Sequence, residues 1–131
     1  ETVRCSRKDG YAANLLREKG IPMVIISQEP NPIVATRAKK MGIDYFYGVG
    51  SPEGRLEALK KYSAEKNCTP EQIVYIGDDV NDIGCMQFAG VGVTVADGHE
   101  ECKEIAKYIT QRRGGEHAVR EVCDLILEAK K

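Results

Sequence analysis

The sequence lacks most features that would assign a small protein to a class at sight. No apolar run approaches the ~20 residues needed to cross a membrane. The first residues show no signal-peptide pattern, so the expectation is a cytoplasmic protein. Cys5, Cys68, Cys85, Cys102 and Cys123 are odd in number and contain no CxxC pair, which argues against a disulfide framework and against a zinc site. They read as reduced thiols, mostly buried. The only histidines are His99 and His117, and neither stands where it would activate a cysteine nucleophile. The net charge is −1 with the basic residues scattered, so no basic face invites nucleic acid or an anionic membrane. Repeats, low-complexity stretches and linkers are also missing.

What is present is the alternation of strand and helix signals. The 131 residues, 42% hydrophobic and 30% charged, suit one compact domain with a core and a solvated surface. Residues 12–19 read as a helix stopped by Gly20, and 23–27 as a continuous apolar strand ending in the hydroxyl of Ser27. Asn31-Pro32 and Ser51-Pro52 each open a helix, with a capping side chain before proline at the first helical position. These helices are expected to run to Met41 and to about Lys66, with a short strand at 45–47 between them. Thr69-Pro70 caps a brief turn before a strand at 73–76. A helix over 81–88, a strand over 91–95, a helix over 99–106, a short strand at 108–110 and a helix over 118–129 complete the chain. Continuous apolar strands separated by helices predict an α/β fold, a parallel sheet with helices on both faces in three layers. In such folds ligands bind beyond the carboxyl ends of the strands.

The residues following the strands therefore carry the chemical argument. Gly77-Asp78-Asp79-Val80-Asn81-Asp82 places three carboxylates within five residues directly after a strand. Two such charges ~4 Å apart repel by roughly 4 kcal/mol at an effective dielectric near 20. A hard divalent cation removes that cost, and oxygen donors suit Mg²⁺. Gly77 is expected to let the backbone turn sharply and keep the site open. The bland alternative is an acidic turn in which Asp79 and Asn81 cap the next helix. Ser27 could hold a phosphate oxygen or be an ordinary strand-end serine. Arg55, just inside a helix N-terminus, is electrostatically misplaced unless an anion lies nearby; the competing reading is a solvated surface arginine. The turn from Arg112 to Glu121 is basic and glycine-rich, and could reach over a site, contact a second subunit or simply be a loop. His99 reads as a helix cap. Asp9-Gly10 imitates a nucleophile motif, but Val3 to Lys8 before it is no buried strand.

In the order Ile25-Ile26-Ser27, Arg55, Gly77-Asp78-Asp79-Val80-Asn81-Asp82, the sequence resembles the second, third and fourth motifs of the haloacid dehalogenase phosphatases. Arg7-Lys8-Asp9-Gly10-Tyr11, Val95-Ala96-Asp97-Gly98-His99 and Gly114-Gly115 with Ala118-Val119-Arg120-Glu121-Val122-Cys123 narrow the likeness. They resemble the capless phosphatases of octulosonate and nonulosonate phosphates, and Gln28 to Pro32 resembles most the domain associated with CMP-acylneuraminate synthetases. The resemblance implies one domain over 1–131, with Asp78 and Asp79 at the Mg²⁺, Ser27 and Arg55 at the phosphate, and Asp82 and Gly77 in support. It implies a small phosphorylated acid sugar as substrate and a homotetramer. Arg55 stands where the family usually has lysine, and Glu116-His117 where a basic residue and glycine are usual. The family's Asp-x-Asp nucleophile segment on a first central strand has no counterpart here, so the expectation is an N-terminally incomplete domain without its nucleophile. The rival expectation is a non-catalytic oligomerisation domain of a CMP-acylneuraminate synthetase. A signalling receiver domain is a distant third.

Overall fold

A computed structural model describes residues 14–27, 32–46, 48, 51–113 and 118–129. The architecture is α/β with parallel strands, as the pattern predicts. Residues 14–18 are helical (α1), and Gly20 at φ 75° ends them in the left-handed region, where glycine carries no Cβ penalty. Ile21 N then returns to Leu16 O, and the chain enters β1, Val24–Ile26. Helix α2, Pro32–Met41, stops in the same way at Gly42, φ 71°. It leads into β2, Asp44–Phe46, which pairs with β1 in parallel register, Ile25 opposite Tyr45. Helix α3, Pro52–Glu65, begins where Ser51 Oγ accepts from Gly54 N at 3.0 Å.

The second half repeats the scheme. The brief turn expected after Thr69-Pro70 is a 3₁₀ turn at Pro70–Gln72, with Thr69 at its N-cap position and Thr69 N donating to Gln72 Oε1. β3 (Val74–Ile76), α4 (Ile83–Phe88), β4 (Val91–Thr94), α5 (Glu100–Ile105), β5 (Tyr108–Ile109) and α6 (Ala118–Ala129) follow. β4 lies between β3 and β5, parallel to both. Two core clusters result. One joins Leu59, Tyr75, Cys85, Met86, Ala89 and Cys102 from α3, β3, α4 and α5; the other joins Leu16 and Cys123 with partly buried residues of α6. Cys85, Cys102 and Cys123 are buried and Cys68 is half-buried, while Cys5 lies outside the described residues.

Two expectations need correction. The helix expected over 81–88 is divided: Val80–Asp82 form a 3₁₀ turn capped by Asp79, and the α-helix begins at Ile83. The strands are also less buried than their apolar runs suggest. All of β1 is only partly buried, and Val74 and Val91 are exposed. Among the described residues β1 pairs with β2, and β3, β4 and β5 form a second set of paired strands. A strand lined on one side by solvent or by other atoms cannot be read from apolarity alone.

Candidate active site at the carboxyl ends of the strands

The ladder continues one residue past each strand: Ser27 N donates to Phe46 O and Gly77 N to Val93 O, both at 2.9 Å. These bonds bring the ends of β1 and β3 into fixed positions. Arg55 then connects them. Its Nη1 donates to Asp82 Oδ1 at 3.1 Å and to Ile26 O at 3.4 Å, next to Ser27. Arg55 is only 4% exposed, so the surface-arginine reading is overturned. The anion that a cation at this helix N-terminus called for is the carboxylate of Asp82.

Asp82 is the centre of the arrangement. Oδ1 accepts from Arg55 and, at 2.7 Å, from the Tyr75 hydroxyl. Oδ2 accepts from the backbone N–H of Asp78 at 3.1 Å and of Asp79 at 3.3 Å. Both oxygens are engaged by protein donors, and Asp78 and Asp79 are exposed beside it. Asp79 Oδ1 also accepts from Val80 N at 2.7 Å, so the helix-capping reading holds for this residue. A capping carboxylate has a second oxygen, and the two functions are compatible.

Gly77 earns its place for a different reason from the one expected. It has no left-handed φ. A Cβ here would lie 2.3 Å from Asp82 Cβ, so glycine is what allows the Asp82 side chain to fold back over the loop.

Tyr75, Thr94 and Cys102 were not singled out by sequence. The Tyr75 hydroxyl is held neutral far above its ordinary range, first by burial and then by the adjacent Asp82. Burial pushes the Cys102 thiol up to about 11, with Asp82, Asp78 and Asp79 adding to the shift, so it remains a protonated donor. It donates to Asp79 O at 3.1 Å, and Thr94 Oγ1 donates to Gly77 O at 2.6 Å. His99 caps α5 as expected, its Nδ1 accepting from Glu101 N. Tyr75 stands seven residues before Asp82 at the inward position of its strand, which is a faint signal. For Thr94 and Cys102 the sequence holds none, because their partners are main-chain carbonyls.

The described part of the basic turn folds onto the loop after β4. Arg112 O accepts from Ala96 N at 3.3 Å, and Arg113 Nε lies 3.8 Å from Asp97 Oδ2. Glu121 clamps it, accepting from Gln111 N, Arg112 N and the Tyr108 hydroxyl. Gly114 to His117 lie outside the described residues, as do Asp9, Val3 to Lys8 and Gln28 to Asn31.

As a test for a divalent cation, the site offers two exposed carboxylates on one loop whose backbone is fixed, a hard-oxygen donor set suited to Mg²⁺. Among the described residues no group of three or more acidic, histidine or cysteine side chains converges, so the loop fits part of a coordination shell.

Known proteins resemble the chain in sequence and in fold. A family model for haloacid dehalogenase-like hydrolases matches residues 55–122, from Arg55 through the acidic loop into α6. A 3-deoxy-D-manno-octulosonate 8-phosphate phosphatase from Yersinia pestis is 40% identical over 123 residues, 94% of this chain and 65% of that protein. The phosphatase of the same name from Moraxella catarrhalis, solved with a magnesium ion, a phosphate ion and KDO, superposes with a TM-score of 0.90. It is 35% identical, over 98% of this chain and 73% of that one. The cobalt-bound enzyme from Haemophilus influenzae gives a TM-score of 0.90 at 28% identity, over 97% and 73%. The chain spans 64–65% of the length of the curated relatives it matches.

Proposed function

The chain belongs to the haloacid dehalogenase-like hydrolases, and from that premise we propose that it is the phosphate- and metal-handling part of a phosphatase for a phosphorylated acid sugar, an octulosonate or nonulosonate phosphate. The observation that carries this reading is the locked acidic loop. Asp82, held by Arg55 and Tyr75, fixes the backbone from which Asp78 and Asp79 project. Crowded carboxylates on a rigid loop are costly unless a cation is their partner. The relatives solved with magnesium or cobalt support the choice of a divalent metal.

In this reading Asp78 and Asp79 hold Mg²⁺, which when bound neutralises charge on the phosphoryl oxygens. Ser27 and Arg55 contribute to phosphate binding at the end of β1. Arg55 has a second task here, because it also neutralises Asp82. Gly77 lets Asp82 approach the loop. The chain contains no Asp-x-Asp, so the attacking carboxylate of the aspartyl-phosphate mechanism is supplied by residues other than those described. The reading includes a homotetramer in which a neighbouring copy covers a site that has no cap of its own. Light scattering that returns a monomer at working concentration removes that part.

The deciding experiment is phosphate release from a panel of phosphorylated octulosonates and nonulosonates, with and without Mg²⁺. It uses the 131-residue chain and a version preceded by an Asp-x-Asp strand. Mg²⁺-dependent release by the longer version alone is expected. Robust release by the shorter chain would reveal a nucleophile within it. Release by neither would move the assignment to a non-catalytic oligomerisation domain, such as one attached to a CMP-acylneuraminate synthetase.

A further inference from the structure

The acidic loop is held from two sides, and only one of them is Asp82. The second side is the segment that leaves β4 and enters α5. Thr94 Oγ1 donates to Gly77 O at 2.6 Å, His99 N to Asp78 O at 2.9 Å and Cys102 Sγ to Asp79 O at 3.1 Å. Three successive carbonyls of the loop thus accept from three groups taken in order along one segment. The N–H ends of the same peptides are held separately: those of Asp78 and Asp79 by Asp82 Oδ2, and that of Val80 by Asp79 Oδ1. Each of the three peptide planes from Gly77 to Val80 is therefore pinned at both edges, and its rotation is blocked.

We propose that the segment from Thr94 to Cys102 is a positioning strap for the acidic loop, in which the Thr94 hydroxyl, the His99 amide and the Cys102 thiol set the peptide planes from which Asp78 and Asp79 project. The inference rests on the reading of those carboxylates as metal ligands and adds positioning residues to it. The strap sits close because of Gly98. A Cβ at this buried position would lie 2.3 Å from Thr94 Oγ1, so only glycine lets the chain fold back over the hydroxyl. Thr94 and Cys102 are sealed from solvent, at 0% exposure each, so no water replaces either donor without rearrangement. Without the Thr94 hydroxyl the Gly77 carbonyl is left unsatisfied, and without the Cys102 thiol the Asp79 carbonyl keeps only its bond from Asp82 N at 2.9 Å, so in both cases the loop loses its tie to the strap and gains freedom to turn. Groups that orient ligands in this way typically change metal affinity by ~10–100-fold when removed.

The test uses the whole chain and its Thr94→Val, Thr94→Ser and Cys102→Ala variants. Two readouts are followed: amide hydrogen exchange at Asp78 and Asp79, and Mn²⁺ affinity by electron paramagnetic resonance. In Thr94→Val and Cys102→Ala the two amides should exchange at least about tenfold faster, with the Leu59 amide in the core unchanged, and the Mn²⁺ dissociation constant should rise ~10–100-fold. Thr94→Ser, which keeps the hydroxyl, should match the wild type in both. Should Thr94→Val fail to fold, Cys102→Ala decides. Wild-type exchange at Asp78 and Asp79 in the folded variants overturns the proposal, as does unchanged Mn²⁺ affinity where the wild type binds the ion. A wild-type chain that binds no Mn²⁺ removes the metal reading instead, and the exchange rates then judge the strap alone.

Discussion

Arg55 Nη1 and Asp82 Oδ1 meet at 3.1 Å, with side chains only 5% and 6% exposed. Separated by 27 residues in sequence, the two join the helix after β2 to the turn after β3. A buried pair of this kind is weak evidence of net stabilisation, because both charges were taken out of water to form it. Breaking it is another matter. Asp82→Ala removes the carboxylate that accepts from buried Arg55 and from the amides of Asp78 and Asp79. The expected loss is roughly 3–5 kcal/mol, read as a lower denaturant midpoint at unchanged slope. A variant as stable as the wild type would mean that the pair is solvated in solution.

Tyr75→Phe isolates one bond of the same cluster. It removes the hydroxyl that donates to Asp82 Oδ1 at 2.7 Å and keeps the ring in the core. Hydrogen bonds to charged groups contribute about 1.5–3 kcal/mol, and a loss in that range is expected by urea denaturation. The loss should be constant from pH 6 to 9, because burial and Asp82 hold the tyrosine neutral far above that window.

Gly98→Ala should be destabilising chiefly through one contact, with the Val95 carbonyl oxygen at 3.1 Å as a lesser second. Its Cβ would fall 2.3 Å from the hydroxyl of fully buried Thr94, which has nowhere to move. Overpacking of this kind costs about 1–3 kcal/mol. Combining it with Thr94→Ala, which removes the clashing atom, should recover part of the loss in a double-mutant cycle. Strict additivity would place the strain elsewhere.

Glu121 gives a pH-dependent test. Burial alone would raise its carboxyl, but the hydrogen bonds from Tyr108, Gln111 and Arg112 outweigh it and hold the group below its ordinary value of 4.5. A folded-state value below the unfolded one means stability that is present above the unfolded value and lost as pH falls through the folded one. Glu121→Gln should therefore be less stable than the wild type at pH 7, with the difference shrinking below about pH 4.5 as the wild-type carboxyl protonates. Thermal midpoints of both proteins between pH 3 and 7 measure this. A difference that stays constant with pH would remove the charge from the explanation.

The residues differ in how much of this the sequence disclosed. Ser51-Pro52 and Thr69-Pro70 were legible because capping is local chemistry within three or four residues. So were the stops at Gly20 and Gly42, where the backbone needs a positive φ. The acidic loop was legible because like charges do not crowd without cause. Arg55 was half legible: its position asked for an anion, but nothing local could say that Asp82 supplies it from 27 residues away. Gly77 was noticed for the wrong property, since a close approach by Asp82 cannot be seen until the fold brings the two together. Thr94 and Cys102 were invisible, because a side chain bonded to a distant carbonyl leaves no mark on the spacing of residue types.

Asp78→Asn separates the cation from the scaffold. The side chain is exposed and the Asp78 backbone amide is what Asp82 holds, so the substitution leaves the loop's peptide planes tied. The metal-free Tm of each protein is its baseline, and the two proteins should differ in how they respond to the ion. A ligand that binds only the folded state stabilises it by RT ln(1 + [L]/Kd), about 2.7 kcal/mol at a hundredfold excess over Kd. The wild type should therefore gain several degrees in Tm on titration with Mg²⁺, while Asp78→Asn gains little. The difference in slope of the two curves is the informative feature, since a merely structural role for Asp78 would shift the variant by the same amount at every Mg²⁺ concentration. Parallel curves, or a wild-type Tm indifferent to Mg²⁺, would return the loop to the status of a helix cap.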